Sequence, residues 1–594
     1  MKNLFAYTPF LSALLVASWF VCGGEGKRSE EPPAEKKESP PTHNAAKPGK
    51  FSADPPTLIC AGVCWLIEGD ANRNATVSLE YRKVGEQDWK ESHPLVRAIN
   101  SNGPVDRSYF SKVNVPPNTW RFAGSVFDLT PDTEYELRAR LQDPDGGAAE
   151  EVVKVRTRAE PPRLGGIREL YVEPGEGGGT GTKTDPYKGL AVVRNAVQPG
   201  DTVWFLPGEY KGPLNVAKNG EAGKPIVWRG APEGEAVISG GIGATGRKFV
   251  TFDSLTIRDA AYGLSANNSQ NVTLRYCKME KVQNAMHGKE SSNFYLADNR
   301  IVGNSTWPRT QGIEPTAGFD VGGSGHVVCH NSVRGVADGV SMLRAGWNVS
   351  VDFYHNEIMD CTDDGMETDY TDWNVRCFRN RLTNVFQGIS CQPVRGGPTF
   401  IFRNIIYNVG KATFKLNNHT SGNMICHNTS FKIGEAATET GEPVTNSRYI
   451  NNLFVGTTAG YGLNFGAPMR HCECDYNGVI GEKFNIYARW NGQNLPPLEK
   501  LREAGPIQRH GFFWPLSVKV FAGEIKPPDK VETSFPAEGN DPRLAENSPA
   551  LDVGLRIPGI NDNFKGAGPD LGAIEFGDPL PQYGPRPDPE KENR

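Results

Sequence analysis

At 594 residues the chain exceeds one ordinary folding unit, and its 67 Gly and 45 Pro with 38% hydrophobic residues suit a turn-dense β protein better than a helical one. The net charge of −5 is small for this length and gives no reason to expect nucleic acid as a partner. An acidic ligand would need a local basic patch.

Residues 1–22 begin Met1-Lys2-Asn3 and continue without charge to Cys22, the basic start and apolar core of an export signal. The expected location is periplasmic, cell-surface or extracellular. Cys22-Gly23-Gly24, followed by a Glu, Lys and Pro-rich stretch over 23–50, resembles a bacterial lipoprotein's acylated Cys and tether, which implies a membrane tether through Cys22 and an outer-membrane lipoprotein. Val21 and Trp19 depart from the small and aliphatic residues of such sites, so a cleaved signal or an uncleaved anchor stays open. The 23–50 linker is too charged and too poor in apolar residues to fold.

From 51 to 160, short runs such as Ala75–Lys83 and Glu134–Leu141 alternate apolar and polar residues, the pattern of a small β-sandwich. Within it Leu129-Thr-Pro-Asp-Thr-Glu-Tyr135 resembles the fibronectin type III family, whose Leu-x-Pro-x-Thr-x-Tyr stretch makes a tyrosine corner. That resemblance implies a spacer or binding module.

Beyond Pro161-Pro162, Tyr171-Val-Glu-Pro-Gly175 leads through a glycine run to an amphipathic stretch, Leu190–Val197, and then to Pro199-Gly-Asp-Thr-Val-Trp-Phe205. The glycine run is no phosphate cradle, because Thr182 separates Gly181 from Lys183-Thr184. An asparagine then returns every 24 or 25 residues, at Asn331, Asn356, Asn380, Asn404, Asn428, Asn452 and Asn477. The pattern extends back to Asn299 and more faintly to Cys277 and Ser254. A period of this size with strand-type alternation predicts an all-β solenoid of three short strands per coil, its Asn side chains stacked in a column. The opening segments and the ladder together resemble the right-handed parallel β-helix of the pectate-lyase-like superfamily, over 165–480. The resemblance implies a short helix capping the first coil and a C-terminal extension, 481–577, folded back along the coils, with 578–594 loose.

Eleven cysteines in an exported chain raise the question of disulfides; the pairs Cys60/Cys64 and Cys472/Cys474 are close enough in sequence to consider. Cys329 and Cys426 fall where other coils carry Tyr354, Phe378 or Phe402, and are expected to face the solenoid core.

Alternation after each ladder Asn assigns the side chains of one further strand. Val340, Met366, Ile389 and Phe414 point inward, so His287, Asp320, Ser341, Glu367, Ser390 and Lys415 form one outward column. Asp338, Asp364 and Gln387 run along one flank; Lys289, Asp369, Gln392 and Asn417 run along the other. With coils about 4.8 Å apart, Asp338 and Asp364 should lie roughly 5 Å apart, and carboxylates this close must share a proton or bind a cation. Oxygen ligands of this type suit Ca²⁺, with Asp364, Glu367 and Asp369 as the metal group. Lys415, two coils from Glu367 and so roughly 10 Å away, leaves room for a sugar between cation and base.

These residues fit a lyase acting on an acidic, uronate-containing polysaccharide, with Lys415 at a lowered pKa as base. Arg344 and Arg395 would bind sugar carboxylates, with His419, Gln392 and Asn417 beside them, and Trp307 and Arg309 would wall one end. Outward positions on a solenoid are polar in any case. Asp338-Gly-Val and Asp363-Asp364-Gly also resemble the polygalacturonase family of glycoside hydrolases, which implies hydrolysis by paired Asp; Phe386-Gln387-Gly388 stands where that family has Gly-His-Gly. A third reading is a non-catalytic carbohydrate-binding or adhesive surface protein. The remaining histidines, His326, His330, His355 and His427, read as turn residues. A monomer is expected.

Overall fold

The computed structural model describes residues 43–98, 119–308, 316–344, 346–438, 441–457, 459–539 and 541–590. The export signal, Cys22 and Arg309 lie outside the described residues.

Two antiparallel four-stranded sheets form the N-terminal unit. One holds Lys47–Ala53, Ala61–Glu68, Thr119–Val126 and Val96–Arg97; the other holds Lys90–Ser92, Thr76–Lys83, Glu134–Gln142 and Ala148–Arg156. Alternate residues of both sheets, among them Val63, Trp65, Val77, Leu79, Leu137 and Leu141, share one core, as expected of a sandwich. At its corner the Tyr135 hydroxyl accepts a hydrogen bond from the Thr130 amide at 2.9 Å.

The remainder is an all-β solenoid whose strands pair in parallel from coil to coil. Each regular coil supplies three strand positions: one before the ladder Asn, as in Val349–Tyr354 and Trp373–Phe378; one after it, as in Glu357–Glu367 and Arg381–Ser390; and the outer strand carrying Asp338–Met342 and Phe414–Lys415. The first coil is covered by the helix Leu190–Ala196, which buries Leu190 and Val193. A helix there closes the open sheet end to other chains.

The asparagine column is continuous. Asn299, Asn331, Asn356, Asn380, Asn404, Asn428, Asn452 and Asn477 are fully buried. Each side-chain oxygen from Asn331 to Asn477 accepts from both the main-chain and side-chain nitrogen of the Asn one coil before it, at 2.8–3.1 Å. The column starts on the Cys277 amide and ends on Gln508. The residue before each Asn turns the chain in the left-handed region; His330, His355 and His427 hold that position at φ 53–55°. These three are turn residues, as expected, while His326 is a buried acceptor for the Phe294 amide.

One inward assignment is corrected. Val328, Phe353, Cys377, Ile401 and Ile425 fill the solenoid interior, whereas Cys329, Tyr354, Phe378, Phe402 and Cys426, one residue later, point outward and are buried under the sandwich and the C-terminal extension. Phe127 of the sandwich packs against Phe378, Phe400 and Phe402 with ring centroids 5.0–6.3 Å apart. Neither Cys60/Cys64 nor Cys472/Cys474 is joined as a disulfide.

The C-terminal extension packs along the outer face of the coils: Tyr407, Phe431, Leu453 and Val455 share a cluster with Val520, Phe521 and Leu544. Residues 578–590, expected loose, are held by charge. Arg586 binds Asp298, Glu160 and the Tyr295 hydroxyl, Asp588 binds Arg163, and Glu590 binds Arg229. Partners so far upstream in sequence leave no local trace.

Replacing a column Asn by a residue of similar size leaves its buried neighbours without donors and acceptors. Asn380→Leu is expected to lower stability by roughly 2–4 kcal/mol in urea denaturation. The exposed Asn304 lies off the column, and Asn304→Ala should change stability by less than about 0.5 kcal/mol.

Candidate functional site

Strand register builds the outward column from Ser265 through His287, Asp320, Ser341, Glu367 and Ser390 to Lys415, one residue per coil. Val340, Met366, Ile389 and Phe414 face the core. The Asp-Gly pairs on this strand have a packing cause. Gly318, Gly339, Gly365 and Gly388 stack over one another. A Cβ on Gly339 would lie 2.3 Å from the Gly365 carbonyl oxygen, and one on Gly388 would lie 2.3 Å from that of Thr413. Only glycine allows this approach, and the carboxylates of Asp338 and Asp364 stand directly before it.

Asp338, Asp364 and Glu367 bring carboxylate oxygens within 4.8 Å of one another. The Asp338 carboxylate also accepts the Asp364 amide at 3.1 Å. Burial first, and the Asp364 charge second, push the Asp338 carboxyl up to about 8. Glu367 is raised by burial and then by Asp369, Asp338 and Asp364. Asp369 rises to about 7, mainly by burial and Asp364, although it accepts hydrogen bonds from Ser390 Oγ at 2.7 Å and the Gln392 amide at 2.6 Å. Negative charge in this group exceeds what its neighbours neutralise.

Lys415 differs from expectation. Its Nζ lies 2.6 Å from Asp364 Oδ2, so the gap between cation site and base is closed in this state. Burial alone would release the proton, but Asp364, Asp369 and Glu367 outweigh it and hold the ammonium above its ordinary range. Lys415 therefore stands as the counter-ion of the group. Fully buried Asp364 is shared between Lys415 and Glu367, while the buried Ser341 Oγ and Gln387 Oε1 have no hydrogen-bond partner among the described residues.

The other predicted residues divide. Asn417 donates to Gln392 Oε1 at 2.9 Å, making a polar rung on the flank of Lys415. His419 sits half-buried in the turn just beyond, at φ 57°, and Arg344 is exposed at the rim. Arg395 is 5% exposed, its guanidinium 5.1 Å over the Tyr370 ring and directed to the Tyr370 carbonyl at 3.4 Å, so it braces Tyr370. Trp307 is tied to the C-terminal extension through the Val531 carbonyl at 2.9 Å. Trp347 and Trp373 pack edge to face at 5.4 Å. Reasoning from the strand pattern missed Tyr370; its place two residues before the Asp372-Trp373 turn offered no periodic signal.

The raised carboxyls make stability depend on pH. Asp338 titrates near 3.8 when unfolded and about 8 when folded, so the folded chain holds a proton that the unfolded chain lacks between these values. The stabilisation is complete below about 4 and is lost as pH rises through about 8. The thermal midpoint should fall between pH 5 and pH 9, and Asp338→Asn, which mimics the protonated acid, should flatten that fall while matching the wild type at pH 5.

Residues 240–430 match the family model described as right handed beta helix region. No curated protein sequence matches the chain. Among solved structures, the complex of XylC with xylose is similar at 10% identity and TM-score 0.44, covering 70% of this chain and 99% of that one. Pectate lyase Pel9A is similar at 16% identity and TM-score 0.29, covering 69% and 97%. A family 28 exopolygalacturonase of Yersinia enterocolitica is similar at 12% identity and TM-score 0.25, covering 75% and 100%.

Proposed function

We propose that this protein is an exported enzyme that cleaves an acidic, uronate-containing polysaccharide by β-elimination. The observation that supports this reading most directly is the packing of Asp338, Asp364 and Glu367 carboxylate oxygens within 4.8 Å of one another, with the Lys415 ammonium on Asp364. Their raised proton affinities describe a site short of positive charge. Hard oxygen donors in this arrangement fit Ca²⁺, with Asp369 beside them. Bound there, Ca²⁺ would neutralise the uronate carboxylate and make the C5 proton more acidic.

Lys415 follows from the same geometry. Asp364 first, then Asp369 and Glu367, keep its proton on, so with these carboxylates engaged as ligands burial would dominate and the amine would become able to take a proton. Lys415 then removes the C5 proton, the C4–C5 double bond forms, and the C4 oxygen leaves with its electron pair and is protonated by water. Arg344 at the rim and the Gln392–Asn417 rung would hold the neighbouring sugar.

A second reading is glycoside hydrolysis, favoured by the unequal carboxyls. Asp338, at about 8, would keep its proton as the acid, while Asp364, also raised by burial, is drawn back toward the ionised form by Lys415. Their close approach suits a retaining mechanism better than an inverting one.

The test is absorbance at the wavelength of an unsaturated uronate, with purified protein on pectate, alginate and glycosaminoglycans, with and without Ca²⁺. The rise should require Ca²⁺ and drop by about 10²-fold or more in Lys415→Ala. Ca²⁺ should also raise the thermal midpoint of the wild type but not of Asp364→Asn, a readout independent of turnover. New reducing ends without absorbance would establish hydrolysis instead, and binding without either product would establish a carbohydrate-binding protein.

A further inference from the structure

The N-terminal sandwich docks on the coils through contacts that differ in kind along the interface. Remote from the carboxylates, Arg379 pairs with Asp128 at 2.6 Å, and Phe127 rests on the aromatic column. Nearer the site, Asp54 accepts from Trp373 Nε1 at 2.9 Å and Asn374 Nδ2 at 2.6 Å. Arg121 reaches further. It is 6% exposed, lies 4.5 Å over the Trp373 ring, and donates to the main-chain carbonyls of Asp372 at 3.1 Å and Arg395 at 3.2 Å.

Those two carbonyls belong to equivalent turns of successive coils, and each turn begins in the candidate site. The first runs from Asp369 to Trp373 and the second from Gln392 to Arg395. They are joined by Tyr370 N–H to the Pro393 carbonyl at 2.7 Å and Arg395 N–H to the Thr371 carbonyl at 2.8 Å. Within the first turn Tyr370 adopts φ 58°, a left-handed conformation that a non-glycine residue holds where its surroundings impose it. Arg395 covers its ring from the second turn. Tyr370 follows Asp369 directly in the chain, so the first turn ties its backbone to the acidic group.

We propose that the sandwich is a working part of the site, in which Arg121 is a positioning residue that clamps the two turns and so fixes Tyr370, Asp369 and Gln392 beside the carboxylates. The consequence for turnover rests on the polysaccharide-cleaving reading; the clamp itself does not. Loss of the clamp frees Tyr370 to relax and moves Asp369 and Gln392 without touching the asparagine column.

Hydrogen exchange on the full chain separates the two levels. In Arg121→Ala, amides of residues 369–373 and of Gln392, Val394 and Arg395 should exchange about tenfold or more faster, with the amides of Asn356 and Asn380 unchanged, and Arg121→Lys should restore part of the protection. Arg379→Ala, which weakens docking elsewhere, should leave those turns as in the wild type. With polygalacturonate and Ca²⁺ as the probe, kcat/KM should fall about ten- to a hundredfold in Arg121→Ala and stay within about twofold in Arg379→Ala. Equal effects of the two variants on the turns, or none from Arg121→Ala, would overturn the clamp. A wild type inactive on polygalacturonate would count against the lyase reading alone, since the exchange comparison still decides the clamp. If Arg121→Ala does not fold, Arg121→Lys against Arg379→Ala makes the same comparison.

Discussion

The buried asparagine column is the constraint on which the rest depends. Each amide side chain satisfies backbone and side-chain groups of the coils beside it, so a coil cannot slip without leaving several buried polar groups unpaired. Register is thereby held from Asn299 to Asn477. A one-residue slip would turn every outward side chain into the core, so Glu367 and Lys415 share a face because Asn356, Asn380 and Asn404 are locked together.

Fixed register concentrates charge. Parallel coils put equivalent residues one rung apart, and with acidic side chains at corresponding positions the outer strand accumulates carboxylates that no single coil would hold close together. The glycine column behind them admits no side chain, and burial then raises their proton affinity. Lys415 compensates part of the charge from two coils away. A site of this kind is sensitive to any added cation because its own compensation is incomplete.

The sandwich and the C-terminal segment share the outer aromatic column, and the C-terminal segment continues onto a second outer face. Under the sandwich the contacts include a fully buried ion pair, Arg376 with Asp352, which also reaches Ser350 and Ser125. Such a pair is costly to break, because removing one partner strands the other charge, and the Arg376 guanidinium it fixes donates across to Ser125 of the sandwich at 3.1 Å. The C-terminal segment is held by apolar clusters along the coils and then by alternating charges at Arg586, Asp588 and Glu590.

By itself the sequence determined the repeat, the three-strand coil, the sandwich and which residues line the outward column. These follow from local periodicity: a strand alternates every residue, and the coil repeats at the spacing of its asparagines. Tertiary structure alone decided the rest. Whether Lys415 bends onto Asp364 depends on a rotamer chosen by charges two coils away. Whether Tyr354, Phe378 and Phe402 face inward or outward depends on a cover supplied by Phe127, more than two hundred residues upstream. Arg395 became a brace because Tyr370 and Arg121 meet it, and the tail is ordered by partners as distant as Arg163. Period and alternation report the backbone; side-chain pairing across coils and domains arises only when the chain has closed on itself.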